Sequence, residues 1–391
     1  MTKRNRYSRR TKHNPATEEL AKLAGQLSQS SCRIEDEFWQ KRLATAVDRL
    51  LAGGDDATLN GTLDYLYGVS DRSYDELADM IEACCETRRP DTATPQDIVL
   101  FAAPLLAWSR FGIPSGPIAP AHLDTLRVQL QAHVFAAETK IGLTDYLWSP
   151  DQLPKSYSET TQLTDRLAKA ALHGKNVHLD ASSLAETTAF LSDTRYLIGA
   201  VAAPRGEPLF RWQEDDGSRI EVLKQWRGQG GEAIRPLLPA CAMELLLPQP
   251  YHAAARDADR ASRPYSLRAA VAFLQTTLNV AASDLRAVLA PYHDRQLEEF
   301  RIGFTLSESS DVIHGVVWPL LEAEDEAADM PAQIEAVLRE AGLREILVLD
   351  HRFPIEYCDD CGAPLYPNPE GEPSHAELPE EQAEAAPRHL H

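Results

Sequence analysis

Six consecutive apolar residues, Ile98-Val-Leu-Phe-Ala-Ala103, follow the linker-like stretch Arg88-Arg-Pro-Asp-Thr-Ala-Thr-Pro95. An apolar run this short, bounded by turn residues, reads as a buried strand rather than a helix. It ends the helical pattern that precedes it. Between residues 34 and 51, Phe38, Trp39, Leu43, Val47, Leu50 and Leu51 recur at helical spacing, and Gly53-Gly54 stops the run. Leu59, Leu63 and Leu66 mark a second helix. Ser73-Tyr-Asp-Glu76 has the form of a capping box ahead of a stripe formed by Leu77, Met80, Ile81 and Cys84. Residues 15–90 are therefore expected to form a small helical bundle.

After residue 96 strands and helices mix. Strands are expected at 177–179, 196–202, 208–213, 237–247, 285–290, 300–306, 312–318 and 345–349. Helices are expected at 123–134, 158–172, 218–227, 251–261, 266–279 and 332–340. Residues 196–202 and 208–213 look like a hairpin around Pro204-Arg-Gly-Glu207. Ile198-Gly199, Trp212 and Val222-Leu223 can be laid beside Ile302-Gly303, Trp318 and Val337-Leu338. The fold class read from this is α+β: a helical bundle, then two units of ferredoxin-like type at 96–248 and 249–355, then a knuckle-like segment at 356–376.

At 391 residues the chain is long enough for several domains, and 43% hydrophobic with 25% charged residues is ordinary for a globular protein. The net charge of −20 argues against a general nucleic-acid binder, since a polyanion would be repelled. The charge is unevenly spread. Residues 1–14 form a basic arm with six Lys/Arg and no acid, whereas residues 377–391 form an acidic tail. The arm could contact RNA or an acidic partner; a solvated, frayed terminus is the simpler reading. No apolar stretch approaches the ~20 residues that span a bilayer. Six cysteines in a chain of this length make no disulfide framework, so reduced thiols and a cytoplasmic location are expected.

The strongest local chemistry lies in Tyr357-Cys-Asp-Asp-Cys-Gly-Ala-Pro-Leu-Tyr-Pro367. Cys358 and Cys361 have the spacing of a zinc knuckle, in which two thiolates bind one metal from a tight turn, and Gly362 tolerates the left-handed conformation such a turn needs. His375 is the nearest further donor, with His351, His389 and His391 behind it. A redox use of the pair would call for a helix starting at the first cysteine, and Pro364 with Asp359-Asp360 provides the wrong setting; the two acids should also raise the thiol pKa. An ordinary metal-free turn is the third option.

Other groups carry weaker signals. One of Cys84 and Cys85 should face the bundle core, and Cys241 should be core in a strand. His173 and His178 read as a solvated loop pair. His314 reads as a buried or cleft histidine. Gly228-Gln-Gly-Gly231 lacks the strand and the Lys-Ser/Thr of a phosphate loop. Arg256, Arg260, Arg263 and Arg268, with Asp257 and Asp259, could line an anion site, although helical ion pairs explain them as well.

Phe101-Ala-Ala-Pro104, Ile113-Pro-Ser-Gly-Pro117, Phe210-Arg-Trp-Gln213, Arg263-Pro-Tyr-Ser-Leu-Arg-Ala269, His314-Gly-Val-Val-Trp-Pro319 and the Cys358 peptide together resemble a family of proteobacterial proteins known only as a domain of unknown function. The resemblance implies a bacterial cytosolic protein and brings no activity, cofactor or partner. The expected function is then a non-enzymatic, zinc-stabilised interaction or regulatory protein with a protein partner. The alternative is an enzyme for a small anionic substrate in a cleft between the two units, with the arginine cluster binding the anion and His314 or a carboxylate as base. RNA contact through the basic arm is a lesser alternative.

Overall fold

A computed structural model describes residues 14–90, 94–321 and 329–379. The basic arm and the tail from residue 380 onward lie outside the described residues. The chain opens with four helices, α1 (Pro15–Ser28), α2 (Arg33–Gly53), α3 (Asp56–Tyr67) and α4 (Asp71–Glu86). Asn14, Asp55 and Ser70 cap α1, α3 and α4 by accepting backbone N–H bonds. The cap of α4 is thus Ser70, not Ser73. Ser73 is already in the first turn, buried, with its hydroxyl bonded to those of Ser70 and of Ser28 on α1. Leu20, Leu43, Val47, Leu59, Leu77 and Ile81 fill the bundle core. Cys85 continues the i, i+4 stripe of Leu77 and Ile81, and burial pushes its thiol up to about 12. Phe38 departs from the expected face. It is 52% exposed, edge-on to Trp39 and beneath Arg42.

The bundle runs directly into the sheet. β1 (Thr87–Arg88) pairs with β2 (Gln96–Trp108), and Arg88 bridges to Asp165 and to the Thr161 carbonyl. β2 alternates cleanly. Phe101, Ala103 and Leu105 point to one core, whereas Ile98, Leu100 and Ala102 point to another. The strand is buried on both faces, which is why its sequence reads as one continuous apolar run. Along the chain follow β3 (Gly116–Pro117), α5 (Pro120–His133), β4 (Lys140–Trp148), α6 (Tyr157–Leu172), β5 (Ser192–Pro204), α7 (Arg219–Gln225), α8 (Gly231–Ile234), β6 (Ala242–Leu245), β7 (Gln249–Pro250) and α9 (Tyr251–Leu278). The sheet order is β1-β2-β5-β4-β3, with β6 and β7 also on β2. Helix α5 covers the first face; α6 and the start of α9 cover the second.

Local expectations fail here at several points; residues 177–179, for one, make only a single bridge, from Val177 to Thr144. Residues 208–213 form no strand. β5 pairs along all 13 of its residues with β2 and on its other side with β4, so no edge is left for a hairpin partner. Phe210 and Trp212 instead stack on each other at 4.3 Å, with Arg219 over the Trp212 ring. The expected strand at 237–247 shrinks to β6, and Cys241 lies one residue before it, only partly buried. Residues 251–278 make one helix despite Pro264. A proline inside a helix costs ~3 kcal/mol. That is outweighed by burial of Tyr251, Ala254 and Ala258 on the first sheet and of Leu267, Val271, Phe273 and Leu274 in the next core, at ~1.5–3 kcal/mol for each large apolar side chain.

The second sheet comprises β8 (Leu285–His293), β9 (Leu297–Leu306), β10 (His314–Pro319) and β11 (Glu345–Val348), in the order β10-β9-β8-β11. The first three form an antiparallel meander. Helix α10 (Met330–Glu340) leads to β11, which lies parallel to β8, and β12 (Phe353–Pro354) extends that edge. The two sheets are laid out differently: β6 runs antiparallel to β2, whereas β11 runs parallel to β8. A final hairpin, β13 (Tyr366–Pro367) with β14 (Pro373–Ser374), packs on β9 and β8. Among the described residues no helix is long and apolar enough to cross a membrane.

Candidate metal centre

The Cys-x-x-Cys turn stands on a buried arginine. Arg301, on β9, is fully buried and ion-paired to Glu299 at 2.6 Å. One of its nitrogens donates to the carbonyls of Glu356 at 2.6 Å and Leu365 at 2.8 Å. Its guanidinium lies 4.3 Å from the Tyr292 ring centre and 5.2 Å from that of Tyr357. Arg301 therefore clasps both ends of the turn to the sheet. A planar fork with delocalised charge suits this role, and a lysine would not reproduce it.

Next to the clasp, Tyr366-Pro367 lies close over two glycines, the Tyr366 ring on Gly315 and the Pro367 backbone on Gly303. Gly303 and Gly315 are cross-strand neighbours on β9 and β10. A Cβ on Gly315 would come within 2.3 Å of the Tyr366 ring, and one on Gly303 within 2.4 Å of the Pro367 carbonyl oxygen. The hairpin then returns the chain so that His375, directly after β14, faces the turn. The Glu377 amide donates to the Val312 carbonyl, and Ala376 and Leu378 are buried.

The turn closes through bonds from the Cys358 amide to the Ala363 carbonyl (2.7 Å) and from the Gly362 amide to the Cys358 carbonyl (2.8 Å). Gly362 has φ +72°, as expected of the turn. The amides of Cys361 and Asp360 both point at the Cys358 sulfur and lower its pKa, and the Cys361 side chain adds to this. The expectation from Asp359-Asp360 was the reverse. Asp360 does push upward, but the amide bonds outweigh it. This arrangement favours a thiolate, the form that binds a metal.

The ligand atoms of Cys358, Cys361 and His375 all lie within 4.8 Å of one another, and Cys361 Sγ is 3.2 Å from His375 Nε2. A tetrahedral zinc with Zn–S near 2.3 Å and Zn–N near 2.05 Å sets S···N at ~3.6 Å and S···S at ~3.8 Å. The Cys361–His375 separation comes within a few tenths of an ångström of that value, and the other two separations are no more than about an ångström above theirs. A Glu377 carboxylate oxygen lies 3.2 Å from His375 Nδ1, the ring nitrogen other than the one that faces Cys361. His351 is not part of the group. Its Nε2 lies 3.3 Å from the Gly371 carbonyl oxygen and its ring packs at 4.2 Å on Phe353. His389 and His391 lie outside the described residues.

The remaining groups singled out in the sequence are engaged away from this centre. Arg256 pairs with Glu82 of the bundle, Arg260 with Asp257, and Arg268 with Glu244. Arg263 covers the Trp318 ring and donates to the Pro319 carbonyl. His314 is buried between Phe273 and Phe304. His173 and His178 are exposed, and His178 pairs with Asp145 at 2.6 Å. Within the glycine run, Gly230 is pressed against the Trp226 ring and serves packing there. Sequence reasoning missed Arg301, Glu299 and Glu377. Only Gly303 and Gly315 gave a signal, because a glycine inside an apolar strand marks close approach of other atoms.

A family model described as "Protein of unknown function (DUF2863)" matches residues 5–389. The chain belongs to that family. The match covers the bundle, both sheets and the Cys-Cys-His group alike, so all of these are parts of one family unit. No curated protein and no solved structure matches the chain.

Proposed function

We propose that this chain is a non-enzymatic interaction or regulatory protein of the bacterial cytosol, whose C-terminal surface is shaped by zinc bound to Cys358, Cys361 and His375. The observation that carries the reading is the convergence of two sulfurs and one imidazole nitrogen within 4.8 Å on a segment clasped by Arg301. Mixed S/N donors in this number suit zinc, and a surface turn fixed by metal presents a rigid patch to a protein partner. The enzyme reading calls for the arginine cluster, with His314 or a carboxylate as base, to face one cleft; the ion pairs of Arg256, Arg260 and Arg268 and the 1% exposure of His314 speak for the interaction reading instead.

Elemental analysis of protein purified without chelators tests the reading, alongside a Cys358→Ser/Cys361→Ser variant. About one zinc per chain is expected in the wild type and none in the variant, with the circular dichroism of the two unchanged. Metal-free wild-type protein would overturn the reading.

A further inference from the structure

We propose that Cys358 and Cys361 form a reversible disulfide with each other, so that oxidation and metal binding compete for the same two sulfurs. The competition deepens the zinc reading above and rests on it; the disulfide itself does not. The two sulfurs lie within 4.8 Å of each other on a turn closed by the Cys358–Ala363 and Gly362–Cys358 backbone bonds. A disulfide needs S–S near 2.05 Å. Turning one cysteine between staggered χ1 wells moves its sulfur by ~3 Å, which covers the gap. Arg301 holds the carbonyls of residues 356 and 365, so the ends of the turn stay tied while its side chains rotate. No helix starts at Cys358, as a dithiol oxidoreductase would call for. A switch needs only two sulfurs within reach of each other and of solvent. Cys361 is exposed and Cys358 half-buried.

The other cysteines are placed differently. Cys84 and Cys85 are consecutive in α4, so their side chains leave the helix about 100° apart. Burial raises both thiols, that of Cys85 to about 12. Cys32 and Cys241 each stand far in sequence from a second cysteine. The oxidant for the 358–361 pair is hydrogen peroxide. The exposed Cys361 sulfur attacks the O–O bond and becomes a sulfenic acid as the first water leaves. The Cys358 sulfur attacks that sulfur, the S–S bond forms, and the hydroxyl departs with the Cys358 proton as a second water. Two thiols and one peroxide thus give one disulfide and two waters, with two electrons passing from sulfur to oxygen. A small dithiol reverses the step by exchange, restoring both thiols and itself becoming a disulfide. The metal ligand is the thiolate, so the oxidised turn holds no ion.

The test exposes full-length protein, zinc-treated and chelator-treated, to hydrogen peroxide and then to dithiothreitol. Intact mass, peptide mapping without reductant and zinc released to a chromogenic chelator are read. The expected result is a loss of two hydrogens with the cross-link mapped to Cys358 and Cys361, recovery of both thiols in dithiothreitol, and about one zinc released per disulfide formed. The pair should react at least ~tenfold faster than Cys84 and Cys85. In a Cys358→Ser variant Cys361 should stop at the sulfenic acid, trapped by dimedone. Peroxide that leaves both thiols intact, takes Cys361 to the sulfinic acid without a cross-link, or links two chains overturns the proposal. Zinc retained on protein that carries the disulfide overturns the competition. A 358–361 disulfide in protein that took up no zinc beforehand supports the disulfide and overturns the metal reading alone.

Discussion

Replacing Arg301 with methionine should loosen the metal-binding segment from the second sheet. The guanidinium is fully buried, and three kinds of contact depend on it. Its partner Glu299 keeps only 17% side-chain exposure and would be left as a nearly buried carboxylate without its cation. The Glu356 and Leu365 carbonyls would each lose a charged donor, and the Tyr292 and Tyr357 rings would lose the cation between them. Breaking a buried ion pair from one side costs ~3–5 kcal/mol. Most of that is the penalty on the stranded carboxylate, so a Glu299→Gln change in the same chain should recover ~1–3 kcal/mol. Urea unfolding followed by tryptophan fluorescence reports on this sheet through Trp318 of β10. The three variants form a cycle with the wild type, whose coupling energy should exceed ~1.5 kcal/mol. Additive effects, or a loss below ~1 kcal/mol in the single arginine variant, would refute the clasp as an energetic feature.

Two further outcomes are expected. Gly315→Val should displace the Tyr366 ring, costing ~1–3 kcal/mol by overpacking, and Tyr366→Ala in the same chain should relieve the clash; equal unfolding midpoints for Gly315→Val and wild type would contradict the close approach. At the contact between α4 and α9, burial raises the Glu86 carboxyl to about 7 and lowers the His252 imidazole to about 4. Glu86 binds more protons in the folded state, so its contribution is lost as pH rises from about 4.5 to 7; His252 binds fewer, so its contribution is lost as pH falls from about 6.5 to 4. The two nearly cancel in the wild type. Glu86→Gln should therefore unmask stability rising by up to ~3 kcal/mol between pH 4 and 6.5, and a flat profile in urea titrations would show that the His252 shift is absent.

Where the sequence was readable and where it was not follows from the range of the forces involved. The helical stripes of the bundle and the apolar run at 98–103 report local burial directly, since every residue of β2 in that run packs against one core or the other or lies at the partly buried Val99. The Cys358–Cys361 turn was legible because a Cys-x-x-Cys turn is a local object. His375 is fourteen residues from Cys361 but is brought back by a two-residue hairpin pairing, which the sequence hinted at only through its prolines. Arg301 was harder to read: its ion pair with Glu299 is local, but the carbonyls that make it a clasp lie more than fifty residues away. Pro264 misled for the opposite reason. The local rule against proline was correct in sign, but two separate cores hold the two halves of α9 and neither is visible from its neighbours in sequence.

The anchoring of the ligands bears on what a metal does here. In a small zinc finger the ion supplies the folding energy outright, because no core exists without it. In this protein the cysteine turn is fixed by Arg301 at residues 356 and 365, and the histidine is flanked by β14 on one side and by the buried Ala376 and Leu378 on the other. Both sets of donors are thus tied to one sheet before any ion arrives. A metal bound there would have little chain left to order, so its free energy would appear as affinity and as rigidity of the exposed turn at 359–362. On the function proposed above, it would govern the shape of that surface far more than the stability of the fold.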